Sequence, residues 1–320
     1  ATLNSLSPLL SELRLIKSSE ELDNLKRACD ITVQGHISAM DFTKKDMYEY
    51  QIEAEMEKTF YDLGAERLGY PSIVASGDNA CILHYSTNRE KVHNNGLILI
   101  DAAAEFKMYS SDVTRTFPVN GKFTKVQQDV YTEVLKAQEI GIKNVTTKKT
   151  MSDIHTSTVA SISQSLVDLG LVPMGVEETI SMMHYFEFFM HGTGHWLGLD
   201  VHDAGTTEEK NKPRKLKPGM VTTIEPGIYI RPNKPEVEFK LIERDPKKIR
   251  ERRKSLGMEK ATKIESEEMK NAKSIKHKIP KDLLGIGIRI EDDIVCTEND
   301  PINLTIGAPK TIDDVEAICS

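Results

Sequence analysis

Apolar residues recur at the spacing of a helix in several parts of the chain. Residues 18–21 supply hydroxyl caps and acidic first-turn groups, and the apolar residues that follow, to about Met40, recur every three residues. This pattern predicts a capped helix. The same reasoning predicts helices over 48–63, 124–143, 151–169 and 311–318, and Gly64 is a suitable C-terminal cap for the first of these.

Other apolar runs predict short strands. The run 97–100 is continuously apolar, which is typical of a strand buried on both faces. Shorter or alternating runs predict strands over 73–75, 82–84 and 112–119, and two further segments, 220–230 and 286–296, are β-rich. Each half of the chain thus carries helices first and strands later. This order predicts an α+β fold with two similar halves around one antiparallel sheet.

Residues 231–284 differ from the rest of the chain in charge. They contain 17 Lys or Arg and 10 Asp or Glu, a balance of +7, whereas the whole chain carries -7. Apolar residues are thinly spread beyond Glu243. The segment is predicted to be a solvated helical excursion or mobile loop, and a contact surface for a partner or an acidic ligand is the alternative.

Composition narrows the function classes. Hydrophobic residues make up 39% and charged residues 28%, and the pI is about 5.8, which is typical of a globular protein and not of a basic nucleic-acid binder. No apolar run is long enough to cross a membrane, and we expect no signal peptide from the mixed polar stretch that follows Ala1. The four cysteines form no CxxC pair, so we expect free thiols in a reducing compartment, the cytoplasm.

Two carboxylates follow or open predicted strands. Asp101 comes directly after the apolar run 97–100, and Asp112 lies eleven residues later at the start of the next strand. A buried carboxylate is costly unless it is paired or bound to a metal. Each acid alone could be a turn or capping group, but two adjacent strands would bring both carboxylates side by side, as a pair of divalent ions requires.

Three further segments carry candidate site residues. The segment 191–203 holds three histidines with interleaved glycines, a pattern that is more often a site than a lone histidine is. Glu225 and Glu291 each follow an apolar strand-like run. Arg289 lies two residues before Glu291, so the two side chains share one face of a strand.

These residues resemble the pita-bread metallopeptidases, which include methionine aminopeptidase, prolidase and Xaa-Pro aminopeptidase. The segments HGTGHWLGLDVHD, TIEPGIYI and GIGIRIEDD are most similar to Xaa-Pro aminopeptidase. The resemblance implies two pseudo-symmetric α/β halves around a curved antiparallel sheet. It also implies a catalytic domain over 14–320, preceded by a lead-in, or the remnant of a missing domain, over 1–13. The charged insert at 231–284 departs from the family, in which this connection is usually short. Five residues match the family's metal ligands in chain order: Asp101, Asp112, His195, Glu225 and Glu291.

The resemblance further implies two divalent metal ions, with manganese expected and cobalt, iron or zinc as alternatives. Asp112 and Glu291 would bridge both ions, Asp101 would chelate one, and His195 and Glu225 would complete the shell of the other. Glu225 would also act as the general base. The remaining site residues would line the pocket or orient the ligands: His84, His191, His202, Arg289 and Tyr229.

The implied reaction is hydrolysis of the N-terminal Xaa-Pro bond in peptides with proline at position 2. A prolidase that cleaves Xaa-Pro dipeptides is the near alternative, and a non-catalytic pita-bread binding module is the alternative from another class. We expect no membrane or nucleic-acid partner, and a homo-oligomer stays open.

Overall fold

The computed structural model describes residues 6–210 and 212–319. In this part of the chain, helices alternate with groups of short strands. The helices are α1 (Ser7–Leu15), α2 (Ser19–Phe42), α3 (Glu49–Asp62), α4 (Lys125–Lys143), α5 (Met151–Asp168), α6 (Val176–Ser181), α7 (Pro246–Leu256), α8 (Met258–Asn271) and α9 (Ile312–Ile318).

The strands are short, and every pair is antiparallel. They are β1 (Arg67–Leu68), β2 (Ile73–Ser76), β3 (Leu97–Asp101), β4 (Ala104–Phe106), β5 (Tyr109–Ser110), β6 (Thr114–Pro118), β7 (Glu208–Glu209), β8 (Lys212–Pro213), β9 (Val221–Ile224), β10 (Gly227–Tyr229), β11 (Glu236–Lys240), β12 (Ser274–Lys278), β13 (Gly287–Arg289), β14 (Asp292–Val295) and β15 (Ile302–Asn303).

The predicted helix boundaries are confirmed by their caps. Ser18 and Glu21 form a capping box at the start of α2, and the helix after it ends just before Gly64, whose φ is +96°. Thr124 and Thr150 cap α4 and α5 with the same reciprocal arrangement. Local sequence therefore sets these helix ends.

Two strand predictions differ from the structure. The segment 82–84 is a turn after a short 3₁₀ helix (Gly77–Cys81), because the Ile82 N–H donates to the Asn79 carbonyl at 2.9 Å instead of to a ladder. The predicted strand 112–119 begins only at Thr114. Asp112 lies outside the ladder because its N–H donates to the Asp293 carboxylate at 3.0 Å.

The two halves repeat one arrangement. In the first, α2 packs against α3 beside a sheet in which β3 lies between β2 and β6; in the second, α4 packs against α5 beside a sheet in which β14 lies between β9 and β15. The Glu291 N–H donates to the Thr114 carbonyl at 3.1 Å and joins the halves. One apolar core runs through both, including Ile100, Phe117 and Ile288. The predicted α+β organisation is confirmed.

The charged insert has two parts. Its base is a ribbon of β11 paired with β12, and its tip is the helical pair α7 and α8. The prediction of a solvated helical excursion is confirmed for the tip, which is mostly exposed. It is wrong for the ribbon, because Val237 and Phe239 are 2% and 3% exposed and pack into the main core.

The predicted boundary at residue 14 falls inside α1, and residues 1–5 lie outside the described part, so the division into lead-in and catalytic domain stays a prediction. None of the described helices is long and apolar enough to span a bilayer. All four cysteines are free thiols, as predicted.

Candidate active site

A cavity of about 610 Å³ opens where the two halves meet. The structure brings the five predicted ligands together in its wall with four of the predicted pocket residues. The exception is Tyr229, whose hydroxyl lies behind the wall and contacts two of its members. The predicted residues that line the cavity are His84, Asp101, Asp112, His191, His195, His202, Glu225, Arg289 and Glu291.

The four carboxylates lie at strand ends or strand junctions. Asp101 is the last residue of β3, and Asp112 lies two residues before β6. Glu225 stands between β9 and β10, and Glu291 between β13 and β14. Antiparallel pairing turns these four positions toward one point. The rigid strands therefore hold acids that are far apart in sequence.

His195 is oriented as a ligand. Its Nδ1 lies 3.0 Å from the Trp196 carbonyl, which can only accept, so Nδ1 carries a proton. Its Nε2 lies 3.2 Å from Asp112 Oδ2 and 3.7 Å from Glu225 Oε1. Burial lowers the pKa of His195, but the two carboxylates outweigh burial and raise it to about 9. Nε2 therefore faces a site that attracts a cation.

The acids form a buried cluster of like charge. Burial raises the pKa of Glu225 to about 7, and burial together with the neighbouring acids raises the pKa of Asp112 and of Glu291. Ligand atoms of Asp112, His195 and Glu291 lie within 4.8 Å of one another. Four carboxylates and one imidazole nitrogen are a donor set suited to divalent ions, whose charge would let the acids ionise. The described residues thus fit a metal centre.

Arg289 organises the ligands from behind. Its Nη2 donates to Asp101 Oδ2 at 2.6 Å, its Nη1 to the Tyr229 hydroxyl at 2.9 Å, and its Nε to Thr114 Oγ1 at 3.0 Å. The Thr114 hydroxyl in turn donates to Glu291 Oε2 at 2.6 Å. Arg289 therefore contacts Asp101 directly and reaches Glu291 through the Thr114 hydroxyl.

The three pocket histidines differ in their hydrogen bonds. His191 Nδ1 donates to the Gly192 carbonyl at 2.8 Å, so Nε2 accepts from the Tyr229 hydroxyl at 2.8 Å. Burial lowers the pKa of His191 to about 3, which keeps the ring neutral. Within the described residues, the rings of His84 and His202 make no hydrogen bond to the protein. These two are therefore available to a substrate, whereas His191 is already engaged.

Sequence reasoning missed two polar residues. The buried Tyr70 hydroxyl lies 2.7 Å from Asp101 Oδ1 and 2.6 Å from Asp112 Oδ1. Thr114 links Arg289 to a ligand, as described above. Alternation along the strand places 112, 114 and 116 on one face and could have indicated Thr114. Nothing near Tyr70 in the sequence indicates its position.

Comparison with known proteins agrees with this geometry. Residues 23–298 match the model of metallopeptidase family M24. The chain belongs to this family. Among curated M24 relatives, the Xaa-Pro aminopeptidase of Haemophilus influenzae is 40% identical over 309 residues, which cover 97% of this chain and 62% of the relative. That of Escherichia coli K12 is 37% identical, with 99% and 62% covered.

Solved structures of relatives show the same fold. Aminopeptidase PepP of Pseudomonas aeruginosa matches with a TM-score of 0.83 at 37% identity, covering 98% of this chain and 62% of that one. E. coli aminopeptidase P with the inhibitor Pro-Leu matches with a TM-score of 0.84 at 37% identity, covering 100% and 63%. The predicted pita-bread architecture is confirmed. The chain spans about 62% of the length of these two Xaa-Pro aminopeptidases.

Proposed function

We propose that this chain carries the catalytic domain of a dinuclear metal-dependent aminopeptidase that releases the first residue of peptides with proline at position 2. The observation that carries the proposal is the convergence of Asp101, Asp112, His195, Glu225 and Glu291 on one cavity. The Xaa-Pro aminopeptidase relatives at 37–40% identity support the choice of substrate. The acidic composition and the free cysteines support a cytoplasmic location.

The metal would be held by those five residues, and we propose two ions with manganese as the native metal. When bound, such ions supply Lewis acidity and lower the pKa of a water molecule. Asp112 and Glu291 would be the carboxylates shared by the two ions; both are buried, and their ligand atoms lie within 4.8 Å of each other. The Nδ1 hydrogen bond of His195 fixes the ring so that Nε2 is the ligand atom.

Proton transfer would fall to Glu225. Its carboxylate belongs to the ligand set that would activate a water molecule, and a positioned carboxylate can accept a proton and return it. Its carboxylate faces the cavity between two histidines. Oε2 lies 3.6 Å from His191 Nδ1, and Oε1 lies 3.7 Å from His195 Nε2. Glu225 would take a proton from the attacking water and pass it to the proline nitrogen of the leaving group.

Two histidines and an apolar wall would bind the substrate. The free ring nitrogens of His202 or His84 would donate to the scissile carbonyl as negative charge develops on its oxygen. The apolar wall is formed by Pro71, Ile73, Leu83 and Val201. An Xaa-Pro bond is a tertiary amide without an N–H, so an apolar wall leaves no donor of the substrate unsatisfied.

The test is hydrolysis of matched peptides by metal-stripped protein with Mn²⁺ added back. Xaa-Pro-Yaa peptides should be cleaved only with metal, and Xaa-Ala-Yaa peptides should serve as the unreactive control. Asp112→Ala and Glu291→Ala should remain folded and lose turnover. Cleavage of Xaa-Pro dipeptides alone would make the chain a prolidase instead. Bound metal without cleavage of either peptide would contradict the proposal.

A further inference from the structure

The loop that carries His202 lacks regular secondary structure. Residues 197–207 are neither helix nor strand. The ring of His202 lies edge-on against His195, with centroids 4.3 Å apart, and makes no hydrogen bond to the described protein. Ring contact alone leaves the backbone of this loop free to shift. Its position must therefore be set by neighbouring residues.

The next residue, Asp203, is anchored to the start of the chain. Its side chain is 1% exposed and pairs with the Lys17 ammonium at 3.0 Å, which is itself 2% exposed. Arg14 pairs with the same carboxylate and also with Asp200 Oδ2 at 2.6 Å. Arg14 from the last turn of α1 and Lys17 from the link between α1 and α2 thus hold an acid that is one peptide bond from His202.

Backbone contacts fix both sides of this cluster. The Asp203 N–H donates to the Trp196 carbonyl at 2.9 Å, and the Lys17 N–H donates to the Gly219 carbonyl at 2.9 Å. Gly198 is needed for the close approach, since a Cβ there would lie 2.3 Å from Asp203 Oδ2 and 2.9 Å from Lys17 Cε. The buried ion pair thus joins two segments that also hold each other's surroundings by backbone hydrogen bonds and close packing at Gly198.

We infer that the cluster of Arg14, Lys17 and Asp203 positions His202 for the reaction. The inference rests on the proposed aminopeptidase function. Its physical basis is the single peptide bond between His202 and Asp203. If the buried ion pair is broken, the group left unpaired is a buried charge without a partner, which is strongly destabilising. We expect that group to shift toward solvent and to move the backbone of the His202 loop. A displacement of about 1 Å of a group that contacts the reacting atoms lowers a rate by about 100-fold.

The experiment is a double-mutant cycle on the holoenzyme with an Xaa-Pro-Yaa peptide. Asp203→Asn should lower kcat by roughly 10- to 100-fold with bound Mn²⁺ unchanged. In a His202→Ala background, the same substitution should lower kcat by less than about threefold, because its effect passes through a ring that is already gone. A merely structural role would give equal losses in both backgrounds, and that result would overturn the inference.

Two variants keep the test interpretable. Lys17→Met keeps most of the aliphatic side chain and removes the charge. If Asp203→Asn does not fold, Lys17→Met takes its place in the double-mutant cycle with His202→Ala. Asp30→Asn is the matched control, because it removes the acid of an exposed pair with Lys26 on α2 and should leave kcat unchanged. Loss of Mn²⁺ from Asp203→Asn with normal folding would also overturn the inference.

A readout without turnover separates this inference from the proposed function. The imidazole signal of His202, assigned in histidine-labelled protein by its absence in His202→Ala, should shift or broaden in Asp203→Asn and stay unchanged in Asp30→Asn. An unmoved signal would overturn the inference. A wild-type protein that cleaves no Xaa-Pro peptide would overturn the proposed function, and the signal would still report whether the cluster holds the ring.

Discussion

Thr114→Val isolates one buried hydroxyl of the metal centre. The hydroxyl accepts from Arg289 Nε at 3.0 Å and donates to Glu291 Oε2 at 2.6 Å. Valine has nearly the same shape and no hydrogen-bonding group, so packing against the strand is kept. The substitution leaves Glu291 without a donor that favours its ionised form, which is the form that binds metal.

The expected size follows from the charge of the partners. A hydrogen bond to a charged group contributes about 1.5–3 kcal/mol, and about 1.4 kcal/mol is tenfold in an equilibrium constant. Loss of the bond to Glu291 should therefore raise the Kd for Mn²⁺ by roughly 10- to 100-fold, within the range typical of groups that support metal ligands. The activity at saturating Mn²⁺ should fall less than the affinity does.

Mn²⁺ affinity would be measured by calorimetry or by competition with a fluorescent chelator. Thr116→Val is the matched control, because its buried hydroxyl lies two residues along the same strand and bonds only to the Arg289 backbone. The control should lose about 1 kcal/mol of stability with a Kd within about threefold of wild type. A folded Thr114→Val protein whose Kd stays within about twofold of wild type would refute the reasoning.

Three further predictions concern metal, charge and the insert. Since burial raises the pKa of Glu225 from 4.5 to about 7, this carboxyl holds a proton in the metal-free folded protein but not in the unfolded chain within that window. The contribution of Glu225 to stability therefore falls as pH rises through the window, so Mn²⁺ should raise Tm more at pH 8 than at pH 5.5; an equal shift at both would contradict this. Arg115→Met should lower the free energy of unfolding, measured with denaturant, by about 3–5 kcal/mol, because the substitution breaks the fully buried ion pair with Asp292 at 2.6 Å. A decrease below about 1 kcal/mol would refute this prediction. Excising 242–272, the helical tip of the insert, should leave peptide cleavage unchanged. Deleting 232–283 also removes buried core residues of the ribbon and should lower Tm by more than about 8 °C. Equal effects of the two deletions would contradict the division of the insert into a tip and a ribbon.

The candidate acids could be found because their signals are local, whereas their role as metal ligands is what the family resemblance implies. Asp101 follows a continuous apolar run, and Glu225 and Glu291 follow runs of the same kind, so each acid is marked by its own neighbours. The same is true of helix ends with hydroxyl caps. These features depend on a few consecutive residues, which is the range over which periodicity and capping act.

The contacts that organise the site are not local. Lys17 and Asp203 are 186 residues apart, and nothing in either neighbourhood indicates the other. The failed strand at 82–84 has a similar cause. The buried Glu49 carboxylate accepts from the Ser76 N–H at 2.7 Å, the Tyr85 hydroxyl at 2.7 Å and the Glu90 N–H at 2.9 Å. Glu49, which is distant in sequence, thus fixes the residues on both sides of 82–84. The strand propensity of this apolar run does not outweigh these tertiary contacts.

Three consecutive acids after β13 divide the work of the metal centre. Glu291 turns toward the cavity, Asp292 pairs with the fully buried Arg115, and Asp293 accepts from the Asp112 N–H at 3.0 Å. Arg115 also donates to the Glu291 carbonyl at 2.5 Å and holds the pKa of Asp292 well below its usual range, although burial alone would raise it. One short segment therefore supplies the proposed ligand Glu291, an ion pair that anchors the same backbone, and a carboxylate that braces the proposed ligand Asp112. Because the three roles share one backbone, a shift at any of these positions would move both of the buried acids that we propose as bridging ligands.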